Sequence, residues 1–82
     1  MRFKSDYDDL DIDKEVKDMQ ELNIILNSIV ERSDGYFEKG LVLLEYSNKS
    51  SKWVVALGNN HGGDKEWPIN NDITYVGIGE IE

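Results

Sequence analysis

Residues 41–58, LVLLEYSNKSSKWVVALG, decide how the second half of this chain is read. The runs at 41–46 and 52–58 are of strand length and rich in aliphatic, β-branched and aromatic side chains. The polar SNKSS between them favours a turn, so the pattern predicts a β-hairpin. In the second run Trp53, Val55 and Leu57 point one way while Val54 and Ala56 point the other. A strand apolar on both faces belongs in the middle of a sheet, with one face against another layer.

Upstream, the periodicity changes from two to between three and four. Over residues 14–32 the apolar side chains Val16, Met19, Leu22, Leu26, Ile29 and Val30 recur at helical spacing, which predicts one amphipathic helix. Asp11 or Asp13 is expected to cap its start, Glu15 and Asp18 to favour the positive end of its dipole, and Asp34-Gly35 to close its other end. Ile24 and Ile25 widen the apolar stripe, so a loop or the N-terminal segment with Phe3 and Tyr7, read as a short strand, should cover the flank. Downstream, strands are expected at 66–69 and 73–78, joined by Asn70-Asn71-Asp72. The expected fold is α+β: one amphipathic helix packed on a small antiparallel β-meander of three to four strands.

A chain of 82 residues has apolar material for one core, so a single domain over 1–82 is expected, with no repeat and no low-complexity linker. It contains no cysteine, which excludes disulfides and thiolate metal sites. Neither an apolar leader nor a run near the ~20 residues of a membrane span is present, and the reading is a cytoplasmic protein. The net charge is −8. Residues 1–38 hold eleven acids and five bases (net −6), and residues 39–82 hold six acids and four bases (net −2). That balance repels phosphate backbones and anionic lipid, so neither nucleic acid nor membrane is an expected direct partner.

The residues that invite a catalytic or ligand-binding reading do not complete one. Gly58 and Gly63 have the spacing of a phosphate-binding loop, but Asp64-Lys65 follows where Lys and Ser or Thr are needed, and Glu66-Trp67-Pro68 replaces the helix. His61 is the only histidine, with Asp64 its one close acid, and no cysteine is available as nucleophile. One histidine also leaves only carboxylates for zinc. Asp9, Asp11 and Asp13 occupy the first, third and fifth positions of a calcium loop, yet Lys14 stands where glycine is required and Gln20 where a bidentate glutamate is. Asn48-Lys49-Ser50 matches a glycosylation acceptor but reads as the hairpin turn. No pair of carboxylates is singled out for acid–base work. The aromatic residues are mostly required for the core, with Trp67 beside Pro68 as a candidate exposed anchor. No enzyme, metal or cofactor is expected.

What remains is recognition of another protein. The acidic lead DLDIDKEV, the amphipathic MQELNIILNSIV and the strands GLVLLEY and KWVVALGNN together resemble the small acidic immunity proteins of bacterial toxin–immunity systems, over roughly residues 9–60. The resemblance implies a cognate toxin and cytosolic residence and fixes no contact residue. The expected function is a stoichiometric inhibitor whose acidic surface neutralises a basic partner enzyme such as a nuclease toxin. A phage-encoded inhibitor of a host defence nuclease obeys the same physics, and a structural module that self-associates through a sheet edge is the alternative from another class. Candidate partner-binding residues are Asp6, Asp8, Asp9, Asp11, Asp13, Glu15, Asp18, His61, Asp64 and Trp67.

Overall fold

The computed structural model describes residues 1–60 and 73–82. Strands β1 (Arg2–Ser5) and β2 (Ile12–Glu15) precede helix α1 (Met19–Arg32), and β3 (Val42–Ser47), β4 (Lys52–Asn60) and β5 (Ile73–Ile81) follow it. All five strands lie in one antiparallel sheet of order β2-β1-β5-β4-β3. The α+β class and the predicted 3-4 hairpin therefore hold, and the strand count of three to four is corrected to five among the described residues. The N-terminal segment makes two strands beside the chain's last strand, and its Leu10 and Ile12 also lie along the helix flank with Ile24, Ile25 and Ile29, as expected. The strand expected at 66–69 and the turn at 70–72 fall outside the described residues.

The helix begins later than its periodicity predicts. Lys14 and Glu15 belong to β2, paired with Phe3 and Arg2, and Val16 donates its N–H to the Met1 carbonyl at 2.7 Å. Asp18 is the cap, accepting the Glu21 N–H at 2.9 Å, while Oε2 of Glu21 accepts from the Lys17 N–H at 3.0 Å. One first-turn donor, the Glu21 N–H, and the donor of Lys17 just before the cap are thus both satisfied. Asp11 and Asp13 cap nothing. At the other end Asp34 and Gly35 both adopt positive φ, as expected of a chain leaving a helix.

Leu22, Leu26 and Ile29 are the helix's buried stripe. They join Phe3, Val16, Phe37, Val55, Leu57, Ile78 and Ile81 in one core, so the helix lies on the sheet face carrying Phe3, Val55 and Leu57. One expected stripe member departs, since Met19 is exposed, while Val30 is half-buried and packs against the core. Ile25 packs against the core, whereas Ile24 is exposed.

A β-bulge lets β5 serve this core. Val55 faces Gly79 and Ala56 faces Gly77, which leaves Ile78 as the extra residue, turned inward at 2 % exposure. The bulge carbonyl of Ile78 accepts from the Ser5 hydroxyl, which explains a buried serine in β1. One residue on, Gly79 lies against β1: a Cβ there would sit 2.6 Å from the Lys4 carbonyl oxygen and 2.8 Å from a Phe3 ring carbon. Glycine is required because the backbones of β1 and β5 and the Phe3 ring meet at that point.

Candidate functional site

The first turn of the acidic lead is built by backbone choice. Between β1 and β2 the chain makes a 3-10 turn at Tyr7–Asp9, and Asp8, Asp9 and Asp11 all have positive φ, at 49°, 61° and 49°. Aspartate tolerates this left-handed region better than most residues because its short side chain can bond locally. Tyr7 and Leu10 turn inward and pack against the core, with the Tyr7 ring 5.8 Å from that of Phe37. Asp6, Asp8, Asp9 and Asp11 are left exposed on one connection. Burial, then the nearby Tyr36 and Asp8, raises the Tyr7 phenol above its ordinary value.

The remaining acids of the lead are already used. Arg2 Nε lies 2.5 Å from Oδ1 of Asp13, and the same guanidinium lies 3.7 Å from Glu15. Asp18 holds the helix start. Across the sheet Lys4 and Lys52 both approach Glu82, at 3.3 and 2.9 Å, and Lys52 is 3.6 Å from Glu80. These contacts hold the Glu82 carboxyl below its usual range, through hydrogen bonds from Lys52 and Lys4, and raise Lys52 through its hydrogen bond to Glu82. The structure therefore divides the predicted acidic surface. Asp6, Asp8, Asp9 and Asp11 carry no ion pair among the described residues, whereas Asp13, Glu15 and Asp18 are bound internally. His61, Asp64 and Trp67 lie outside the described residues.

A concavity of about 570 Å³ on the sheet face opposite the helix is bordered by Asp6, Asp11, Asp13 and Glu80, with Lys4 as its one base and Val54 and Gly77 on its floor. The free carboxylates thus extend onto an anionic shelf. Among the described residues no group of acids and histidine is placed to hold a metal ion, and no helix is long and apolar enough to cross a membrane.

Self-association through a sheet edge is the alternative expectation, with no strand named for it, and the edge opposite the acidic turn is β3. Val42, Leu43, Leu44 and Tyr46 of β3 are exposed, as is Trp53 of β4, which meets Tyr46 edge-on at 5.4 Å between ring centres. The register places Val42, Leu44 and Tyr46 on the face of Leu57, Val55 and Trp53, so the helix layer stops short of β3. Trp53, expected in the core, is 48 % exposed for that reason. The aromatic residues expected to fill the core divide likewise: Phe3 and Phe37 are buried, while Tyr36, Tyr46 and Tyr75 are exposed. No protein-family model, curated protein or solved structure matches this chain.

Proposed function

We propose that this protein is a stoichiometric inhibitor, of the immunity-protein kind, that presents the connection between β1 and β2 to a basic partner enzyme such as a nuclease toxin or a host defence nuclease. The observation that supports it is the set of four exposed aspartates, Asp6, Asp8, Asp9 and Asp11, which have no ion pair among the described residues and stand on one short turn. Carboxylates that are neither neutralised nor desolvated internally keep their full field for an incoming cation. Such a field speeds encounter and favours a basic surface over an acidic one. A nuclease suits this chemistry because its substrate-binding surface is cationic, and an acidic turn seated there would exclude the phosphate backbone. The role requires no catalytic residue.

The test begins with capture of the partner from the source cell, then measures association of the purified pair. The partner is expected to be basic, and its association rate to fall at least tenfold as salt rises from about 50 to 500 mM, when the Debye length shrinks to a few ångströms. The quadruple variant D6N/D8N/D9N/D11N is expected to keep its fold and to associate at least tenfold more slowly at low salt. An unchanged low-salt rate in that variant defeats the proposal. The exposed apolar edge at β3 favours a second property, self-association, which leaves the acidic turn free.

A further inference from the structure

We infer that this chain forms a two-fold dimer in which β3 pairs antiparallel with β3 of a second copy, joining the two sheets into one. This goes beyond the inhibitor reading and does not depend on it.

The backbone supplies the first reason. The Gly58 N–H donates to the Leu41 carbonyl at 2.8 Å, and the ladder continues through Leu43 opposite Ala56 and Glu45 opposite Val54. In an antiparallel ladder alternate residues bond inward, so Val42, Leu44 and Tyr46 direct their N–H and C=O groups away from β4. With a two-fold axis through Leu44, perpendicular to the sheet, Leu44 meets its own copy and Val42 meets Tyr46 of the other chain. Those pairs match outward groups to outward groups and yield about six main-chain hydrogen bonds.

Side chains select the same register. Glu45 is the only charged residue in β3. With Leu44 on the axis it faces Leu43 of the second copy. A register displaced by one residue pair toward the C-terminus would set Glu45 against itself, and like charges directly opposite are unfavourable. Val42, Leu44 and Tyr46 from both chains then form one apolar row on the helix side, flanked by the two Trp53 rings.

Area and charge identify the second copy as occupant. Val42, Leu43, Leu44, Tyr46 and Trp53 are each 37–48 % exposed, about 400 Å² of largely apolar surface per chain, within the size of a functional patch. Two such patches bring together roughly 800 Å², the size of a weak, concentration-dependent contact below the ~1,200 Å² of stable specific interfaces. No proline or lysine lies within β3, although such residues commonly protect an exposed edge. The acidic turn adjoins β1 and β2, at the other end of the strand order, so the dimer keeps both turns apart.

Sedimentation equilibrium of the full chain, from about 5 to 500 µM, should show the mass doubling within that range, as suits an interface of this size. The dimer should tighten in 0.5 M salt, because salt screens repulsion between two chains of net charge −8, the opposite of the salt effect on the acidic turn. Leu44→Lys should weaken it at least tenfold while the circular dichroism spectrum is retained. A second measurement uses the absence of cysteine: Leu44→Cys introduces a single thiol on the axis, where paired Cα atoms ~5.5 Å apart are within disulfide range. It should oxidise to a covalent dimer at least tenfold faster than Leu43→Cys, which lies off the axis. A chain that remains monomeric to 500 µM, or binds a different protein through β3 without pairing with itself, overturns the inference, as do equal oxidation rates.

Discussion

Among the described residues, the two edge strands of this sheet handle the same hazard in opposite ways. Edge β2 is four residues long, carries Asp13, Lys14 and Glu15, and is tied by Arg2 to two of them. Edge β3 is six residues long and presents valine, two leucines and a tyrosine around a single glutamate. Charge placed along an edge discourages a further strand from pairing there, because adding one would desolvate the ions or oppose like charges. The β2 edge is closed to strand addition and its connecting turn offers carboxylates. The β3 edge offers backbone and apolar side chains. One small sheet therefore carries two surfaces of different chemistry, an electrostatic one at the β1–β2 end and a main-chain and hydrophobic one at the other.

The strongest way to break this arrangement is to loosen the seam between its halves. The two register pairs between β1 and β5, Phe3 with Ile81 and Lys4 with Glu80, join the N-terminal hairpin to the rest of the sheet. Gly79→Ala drives a methyl group into the Lys4 carbonyl and the Phe3 ring, and because a backbone atom must move, the expected loss is about 2–4 kcal/mol. Thermal unfolding should fall by at least ~8 °C. A melting temperature within ~2 °C of the parent would show that the seam yields without cost.

A smaller change separates structural from functional acid. Asp18→Ala removes the helix cap and is expected to cost about 1 kcal/mol in denaturant unfolding, yet to leave the low-salt association rate of the partner within twofold. A rate loss like that of D6N/D8N/D9N/D11N would return Asp18 to the recognition surface.

The smallest effect concerns the ion pairs across the seam. Glu82 is held low and Lys52 high, so their contribution is present between the carboxylate and ammonium ranges. It is lost as pH falls through the depressed Glu82 value or rises through the elevated Lys52 value. Both groups are solvent-exposed, and the change in stability should be small. In Lys52→Gln, the Glu82 carboxyl followed by NMR should titrate at higher pH than in the parent. A stationary midpoint would assign its depression to Lys4.

Much of the framework is legible in particular residues. Leu22, Leu26 and Ile29 mark the buried helix face, and the polar 47–51 segment joins β3 to β4 as read. The helix start is misplaced because Val16 satisfies helical spacing while sitting beyond the end of a strand. Asp18-Met19-Gln20-Glu21 contained the better signal, an acceptor followed three residues later by glutamate. β1 is anticipated as a short strand, although the burial of its Ser5 depends on the Ile78 carbonyl 73 residues away; β2 is not anticipated, because Lys14 and Glu15 fall within the run of helical spacing. Asn59, just beyond the run of 52–58, is a buried member of β4 whose side-chain amide makes no hydrogen bond among the described residues.

The sequence by itself determined the helix, the 3-4 hairpin, the absence of cysteine chemistry and the acidic character of the first half, because each rests on local spacing or on composition. Only the tertiary structure decided which aspartates carry no ion pair among the described residues, since ion pairing depends on β1 bringing Arg2 beside Asp13 and Glu15. It also decided that Val42, Leu43, Leu44 and Tyr46 of β3 are exposed, although they resemble the residues of a core strand. What exposes them is the extent of the single helix layer, which no stretch within β3 encodes.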